Sequence, residues 1–307
     1  VVVADGGVAG LVLRPRLRGV EITGGGARAH VRAAAGEPWD ELVARAVRED
    51  LQGLECLSGI PGDVGATPIQ NVGAYGQEVA ETVTRVEVVD RATGERAALD
   101  AVACGFSYRD SVFKRGAKDR WIVVAVEFAL ARAAAPAVRY AELERALAGV
   151  TPTLGGVRET VLRLRRGKSM VLDPRDENGK SCGSFFMNPT LDDAELARAL
   201  PRIEAEKVLR PGEAVPRFPA GAGRTKLAAG WLIERAGFSK GFGEGPVGLS
   251  TRHALAIVNR GGASSADVVA LARRVQRGVL DRFGVRLRPE PVFLGFAPGE
   301  LDDLTGP

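Results

Sequence analysis

The segment spanning residues 60–76 constrains the fold more than any other part of this chain. It holds four glycines and two prolines in seventeen residues, a density that excludes a regular helix or strand. Glycine lets the backbone approach a ligand closely and point successive N–H groups at one cluster of oxygens. Such a loop can cradle a diphosphate or the polar edge of a flat ring, although an ordinary surface loop can share this composition. Loops of this length inside a domain are commonly functional.

Length, composition and charge limit which classes of protein this chain can belong to. A chain of 307 residues is long enough for about two domains. A content of 45% hydrophobic and 26% charged residues is that of a globular protein rather than a disordered one. The net charge of +4 is spread among acidic residues, without the basic stripe of a nucleic-acid binder, and suits small anionic ligands. No apolar run approaches the ~20 residues of a membrane-spanning helix. We therefore expect no nucleic-acid partner and no membrane partner.

The cysteines and histidines are too few for a disulfide-stabilised protein or for a histidine-rich metal centre. Cys56, Cys104 and Cys182 cannot form a disulfide framework, and their spacing matches no metal-binding motif. His30 and His253 are the only histidines, which argues against a histidine-rich metal centre. We expect no bound metal.

Hydrophobic periodicity predicts short strands interspersed with helices. The predicted strands cover residues 1–4, 11–13, 19–22, 29–35, 83–89, 96–99, 121–130, 254–259, 285–287 and 292–294. The predicted helices cover residues 38–51, 141–149, 157–166, 192–200, 226–236 and 266–283. The order lacks the alternation of a doubly wound sheet, which indicates the α+β class. The polar, glycine-rich stretch 165–184 is the best candidate for a domain boundary.

Three further segments carry residues suited to chemistry. Arg109, between two strands, can hold a carboxylate with two hydrogen bonds and stabilise negative charge on it. Ser184, among small residues, can donate a proton or bind a substrate. Glu290, between two prolines at the start of an apolar strand, can take part in acid–base chemistry. Taken singly, each has an ordinary structural reading: a solvated turn arginine, a serine that caps local backbone, and an exposed loop glutamate.

Together and in this order, the four segments closely resemble the UDP-N-acetylenolpyruvoylglucosamine reductases. That family shows an Ile-Pro-Gly…Gln-Asn…Gly-Ala-Tyr-Gly loop, matched at residues 60–76, and a Tyr-Arg-Asp-Ser-x-Phe-Lys motif, matched at 108–114. It also shows Gly-Ser-Phe-Phe-x-Asn-Pro, matched at 183–189. Its Ala-x-x-Leu-Ile-Glu-x-Ala-Gly and Pro-Glu elements look like residues 229–237 and 289–295. The likeness runs from the first residue to about residue 296.

The resemblance implies a fold, two cofactors and a reaction. The fold is an FAD-binding unit of the vanillyl-alcohol-oxidase (PCMH) type with two α+β subdomains, expected over residues 1–167, followed by an α+β substrate-binding domain over residues 168–307. NADPH would give a hydride to FAD, and the flavin would pass it to the enolpyruvyl ether of a UDP-sugar. The family makes a peptidoglycan precursor, so the resemblance also implies a cytoplasmic protein, expected as a monomer, with a role in cell-wall synthesis, cell shape and division.

The resemblance also implies roles for individual residues. Arg109, Ser184 and Glu290 would be catalytic, with Ser184 as the proton donor to carbon. The expected cofactor-binding residues are Ile60, Pro61, Gly62, Val64, Gly65, Ala66, Gln70, Asn71, Gly73, Ala74, Tyr75, Val123 and Arg165. The expected substrate-binding residues are Tyr108, Tyr140, Lys168, Asn188 and His253.

One expected flavin-binding element is not in the sequence. In the family, a Gly-x-Gly-Ser-Asn turn that cradles the FAD pyrophosphate comes just before the strand matched by residues 1–4. We therefore expect this chain to purify with little flavin, and a version extended at its N-terminus to be yellow.

Two other readings stay open from the sequence. A flavin oxidase of the same superfamily would consume oxygen with a simple alcohol or hydroxy acid, but its usual covalent flavin attachment has no obvious histidine or cysteine here. A non-catalytic remnant would bind the UDP-sugar without turnover.

Overall fold

The computed structural model describes residues 1–117, 119–221 and 223–306. The chain forms two compact units. The sheet unit is Leu13–Leu172, and the discontinuous unit joins Val1–Val12 to the residues from Asp173 onward. The division falls slightly after the expected boundary between residues 167 and 168, and the first strand belongs to the discontinuous unit.

Strands and helices alternate irregularly, as in an α+β protein. The strands are β1 (Val2–Val3), β2 (Val20–Thr23), β3 (Arg28–Ala34), β4 (Leu51–Gln52), β5 (Gly73–Ala74), β6 (Gln77–Glu78), β7 (Val83–Asp90), β8 (Arg96–Asp100), β9 (Trp121–Arg132), β10 (Thr190–Leu191), β11 (Arg217–Pro219), β12 (Thr225–Leu227), β13 (Val247–Leu249), β14 (Ile257–Asn259) and β15 (Phe293–Leu294). The helices are α1 (Trp39–Arg48), α2 (Ala141–Ala146), α3 (Leu154–Gly167), α4 (Asp193–Ala205), α5 (Ala229–Arg235), α6 (Ser265–Phe283) and α7 (Asp302–Thr305).

The sheet unit is built on a six-stranded antiparallel sheet. Its order is β2-β3-β9-β7-β8, and β4 also pairs with β9. Side chains alternate between the two faces of a strand, and most of the buried residues of β3 and β9 follow this alternation. These buried residues include Ala29, Val31, Ala33, Val126, Phe128 and Leu130.

Helix α1 packs onto this apolar face. It buries Trp39, Leu42, Val43 and Ala46, which lie on one helical stripe. The ring centroids of Trp39 and Phe128 are 6.1 Å apart. The indole Nε1 of Trp39 donates to the Leu57 carbonyl at 3.1 Å, so the buried polar atom is paired. The contact fixes the chain that leads into the glycine-rich segment.

The discontinuous unit is organised around α6. The helix begins with a capping box between Ser264 and Asp267 and ends at Gly284, whose φ of +70° is left-handed. Its buried face packs into a core that also holds Phe185 and Phe186. β1 joins this unit through parallel pairing with β15.

Most predicted elements are confirmed, with shifted ends, and two predictions are wrong. Residues 11–13 form no strand, and the Leu11 side chain is 84% exposed. Residues 285–287 are buried at Val285 and Leu287 but are not a strand. The first predicted strand is confirmed, with Val2 buried and Val1 and Val3 exposed. Of the helices in the described ranges, none combines the length and apolar character that crossing a membrane would need.

An ion pair in the discontinuous unit predicts acid sensitivity. Hydrogen bonds from Arg235, Trp231 and the Arg210 N–H lower the pKa of Glu213 to about 2 from its usual 4.5. A carboxylate with a lowered folded-state pKa stabilises the fold above its unfolded-state pKa, and this contribution is lost as the pH falls. We expect Glu213→Gln to be less stable than the wild type at neutral pH, with a difference that narrows as the pH falls below about 4.5.

Urea denaturation across this pH range measures the effect. Glu204→Gln, on the exposed surface of α4, is the control and should leave the pH dependence unchanged. A Glu213→Gln deficit that stays constant down to the acid limit would contradict the assignment.

Candidate functional site

The first half of the glycine-rich segment is tied to β3 and α1. The N–H of Trp39 donates to the Gly62 carbonyl at 2.9 Å, and the N–H of Gly65 donates to the Ala35 carbonyl at 2.9 Å. A Cβ on Gly65 would lie 2.6 Å from the Cβ of Ala35, so this close approach requires glycine. The segment is therefore an ordered loop with a short 3-10 turn over Val64–Ala66.

The second half of the segment is held from inside by Asn71. This residue is buried and has a left-handed φ of +45°. Its Nδ2 donates to Glu78 Oε2 at 2.7 Å and to the Ser107 carbonyl at 3.0 Å, and its Oδ1 accepts from the Ala80 N–H at 3.1 Å. The amide thus joins the loop to the turn at residues 107–110. Its expected contact with a cofactor stays a prediction.

Arg109 approaches the same loop from this turn. It has a left-handed φ of +57°, and its Nη2 donates to the Gly73 carbonyl at 2.7 Å. Its guanidinium lies over the Tyr108 ring, 5.4 Å from the centroid. A Cβ on Gly73 would come within 3.0 Å of Arg109 Nη1, so glycine leaves room for the guanidinium. The structure brings together residues expected to be catalytic, cofactor-binding and substrate-binding.

A second cluster forms around Tyr75 at the end of the loop. Its ring meets that of Tyr140 edge-on, with centroids 5.6 Å apart, and Lys168 Nζ lies 5.5 Å from the Tyr75 centroid. Lys168 Nζ also pairs with Glu142 Oε2 at 2.5 Å. Burial raises the pKa of Tyr75 to about 12, so its phenol is protonated at neutral pH. Sequence reasoning missed Glu142, although its place in the first turn of α2, two residues after Tyr140, was a usable signal.

Arg165 lies in α3 beside the start of the loop. Its Nη2 donates to the Met170 carbonyl at 2.6 Å. Its Nε is buried and has no hydrogen-bond partner among the described residues. Burial lowers the pKa of Arg165. Because a buried N–H without an acceptor is costly, this atom fits an oxygen supplied by a ligand.

The geometry near Arg165 fits the expected FAD. Gly62 has a φ of +112°, and a Cβ there would meet no atom within 4 Å, so the loop borders open space. A loop that borders open space beside a buried arginine N–H suits the polar edge of a flavin ring or a phosphate. Val123 lies deeper, in β9 opposite Val88, within the apolar core of the sheet.

In the discontinuous unit, three extended segments run side by side. The N–H of Phe185 donates to the Leu255 carbonyl at 2.7 Å, and the N–H of Glu290 donates to the Phe185 carbonyl at 2.8 Å. Phe185 and Phe186 belong to the central segment, and both are buried, so they hold this segment in the core. The pairing brings the neighbourhood of Ser184 next to Glu290.

The other predicted residues of this unit lie around the same segments. Asn188 Oδ1 accepts from the N–H of Ala229, the first residue of α5, at 2.9 Å. His253 lies in a turn held by Asn178, whose side-chain amide exchanges hydrogen bonds of 2.9 and 3.0 Å with Thr251. Sequence reasoning missed Asn178, because its partner is 73 residues away. Within residues 1–117, 119–221 and 223–306, no group of three or more His, Cys, Asp or Glu side chains could hold a metal ion.

Comparisons with known proteins match both units of the chain. Residues 2–100 match the FAD binding domain family, and residues 173–294 match the C-terminal domain family of UDP-N-acetylenolpyruvoylglucosamine reductase. The reductase of Thermobifida fusca is 51% identical over 299 residues, which cover 96% of this chain and 83% of that protein. The reductase of Salinispora arenicola is 52% identical over 306 residues, which cover 97% of this chain and 82% of that protein.

A solved structure agrees with the sequence matches. The crystal structure of the Thermus caldophilus UDP-N-acetylenolpyruvylglucosamine reductase aligns with a TM-score of 0.54 and 27% identity, covering 86% of this chain and 72% of that one. The α+β fold and the expected resemblance are therefore confirmed. With half of its residues identical to named reductases over nearly its whole length, the chain belongs to the UDP-N-acetylenolpyruvoylglucosamine reductase family.

Proposed function

We propose that this chain is an FAD-dependent oxidoreductase that uses NADPH to reduce UDP-N-acetylenolpyruvoylglucosamine to UDP-N-acetylmuramate, a step in peptidoglycan precursor synthesis. Family membership supports the reaction. The observation that carries the proposal is the glycine-rich loop, bordered by Arg109 at one end and at the other by the Nε of Arg165, which finds no hydrogen-bond partner in the described part of the chain.

The residues that would hold FAD are the loop glycines Gly62 and Gly65 and the side chain of Arg165. FAD bound there would supply hydride transfer from NADPH to the terminal alkene carbon of the enolpyruvyl group. The chain contributes an ordered loop, because the hydrogen bonds to Ala35 and Trp39 fix its backbone before any ligand arrives.

Arg109 stabilises the negative charge that this reduction creates on the substrate. Hydride addition to an alkene conjugated with a carboxylate leaves an enolate-like species with added negative charge. A guanidinium fixed in advance stabilises such charge strongly, since it needs no reorganisation during the step. The bond from Arg109 to the Gly73 carbonyl and the stacking on Tyr108 provide that fixation.

Ser184 supplies the proton to the carbon next to the carboxylate. A free serine hydroxyl is a very weak acid, so the transfer depends on neighbouring charge and on a proton relay. Glu290 lies on the extended segment paired with the Ser184 segment and is the group in this unit suited to assist. Ser184 is thus the proton donor. Glu290 positions the Ser184 hydroxyl or the charged groups next to it.

The remaining predicted residues bind the UDP-sugar. Lys168 is the cation suited to a diphosphate, and Tyr140 closes over the nucleotide. Asn188 and His253 contact the sugar or its enolpyruvyl group, while Tyr108 lines the site beside Arg109. We further propose that the protein acts in the cytoplasm as a monomer, and that its product links it to cell shape and division.

The reaction itself is tested by the flavin spectrum. We expect NADPH to bleach the visible absorbance of the FAD-loaded protein, and the enolpyruvyl UDP-sugar to restore it without oxygen. A protein that is reoxidised by oxygen alone, and that consumes oxygen with a simple alcohol, would contradict the proposal. UDP-sugar binding without bleaching would also contradict it.

Ser184→Ala separates the two half-reactions. If Ser184 is the proton donor, flavin reduction by NADPH continues at the wild-type rate, while reoxidation by the UDP-sugar slows by about 10²–10⁴-fold. Stopped-flow absorbance measures both rates. Ser239→Ala, at an exposed position, is the control and should change neither. Equal loss of both half-reactions in Ser184→Ala would indicate a structural role instead.

Arg109→Lys tests the planar guanidinium. Lysine keeps the charge but cannot both hold the Gly73 carbonyl and present a fork to a carboxylate. We expect the reoxidation half-reaction to slow by about 10–100-fold, with NADPH reduction little changed. Arg115→Lys, five residues after the turn at residues 107–110 and more than half exposed, should behave as the wild type. Unchanged reoxidation in Arg109→Lys would remove Arg109 from the catalytic residues.

A further inference from the structure

An ion pair that sequence reasoning missed joins α1 to α3. Asp40, in the first turn of α1, accepts two hydrogen bonds from Arg158, at 2.6 Å from Nη1 and 2.8 Å from Nη2. The Arg158 side chain is 16% exposed, so this is a partly buried, bidentate pair. The two residues are 118 positions apart in the chain.

The same carboxylate also holds the residue just before the glycine-rich loop. Asp40 Oδ1 accepts the N–H of Gly59 at 2.6 Å. Gly59 has a φ of +73°, and a Cβ on it would lie 2.7 Å from Leu162 Cδ2. The start of the loop is therefore fixed by a hydrogen bond on one side and by the surface of α3 on the other.

Arg165 is the third part of this arrangement. Its Nε, without a hydrogen-bond partner among the residues that the structure describes, is 3.4 Å from the position that a Gly59 Cβ would take. Burial lowers the pKa of Arg165, and the nearby Tyr75 and Asp40 oppose that effect. Burial also disfavours ionised Asp40, but the hydrogen bonds from Arg158 and Gly59 outweigh it and lower its pKa. Asp40 is therefore ionised at neutral pH.

We propose that Asp40, clamped by Arg158, is a positioning residue for the flavin: it fixes Gly59, and with it the start of the loop and the direction of the Arg165 Nε–H. The inference rests on the proposed function, since it takes the loop and Arg165 as the flavin site. An isolated, part-exposed ion pair adds little to global stability. The local order of the loop is where this pair acts, because a loop that is ordered in advance binds its ligand more tightly.

The test compares two substitutions at Asp40. Asp40→Ala removes the acceptor for Gly59 and the partner of Arg158, whereas Asp40→Asn keeps an acceptor for Gly59 and loses the charge. We expect the FAD dissociation constant to rise by about tenfold or more in Asp40→Ala and by less in Asp40→Asn, measured by flavin fluorescence. The amide of Gly59 should exchange faster in Asp40→Ala, measured by hydrogen exchange on the FAD-free protein.

Glu87→Ala is the matched control. Glu87 forms a similar bidentate pair with Arg32, at 2.6 and 2.7 Å, and it joins β7 to β3 rather than to the loop. The melting temperature of Glu87→Ala shows how much thermal stability is lost with such an ion pair. The FAD affinity of this variant should be that of the wild type. Asp40→Ala should therefore bind FAD more weakly than Glu87→Ala does. The melting temperatures of the two FAD-free variants should be similar.

Two results would overturn the inference. One is an FAD affinity of Asp40→Ala within about twofold of the wild type or no lower than that of Glu87→Ala. The other is unchanged exchange at Gly59 in Asp40→Ala. Failure of the proposed function looks different, because the wild type, even when saturated with FAD, would then not be reduced by NADPH. Even in that case, the exchange of the Gly59 amide decides whether Asp40 fixes the loop.

Discussion

Strand β9 is the element on which the sheet unit depends, because β3, β4 and β7 all form hydrogen bonds with it. Its alternating side chains give one apolar face, and Trp39 closes that face through its contact with Phe128. Once α1 is held there, the end of β3 and the start of α1 lie close together, and the glycine-rich loop is attached to both. The position of the site thus follows from a packing requirement of the core.

Local patterns in the sequence were enough to predict most elements. The hairpin β7–β8 follows from alternating apolar residues around Gly94, and α1 follows from its helical stripe. The same reasoning failed at residues 11–13, because an apolar run alone does not supply a pairing partner. Hydrophobicity shows that a segment prefers burial, but the neighbour that buries it is decided by the rest of the chain.

The candidate site shows the same limit. The motifs identified Arg109, Ser184 and Glu290 as residues suited to chemistry, but motifs do not give distances. The pairing of the Ser184 and Glu290 segments, and the clamp between Asp40 and Arg158, are contacts between distant parts of the chain that no local pattern encodes. Two residues of the motifs have a structural role in addition to any contact with a ligand. The side-chain amide of Asn71 forms hydrogen bonds that hold the loop, and that of Asn188 accepts the N–H at the start of α5.

The backbone of the loop and of the turn at residues 107–110 limits which substitutions this protein can accept. Asn71, Tyr75 and Arg109 all have left-handed φ angles, at +45°, +48° and +57°, a conformation that costs a non-glycine residue about 1–3 kcal/mol. Glycine would relieve that strain at each position, but it would delete the amide, ring or guanidinium that the site uses. Stability and side-chain chemistry are therefore in direct competition at these three positions, and the rest of the fold must supply the free energy that keeps them strained.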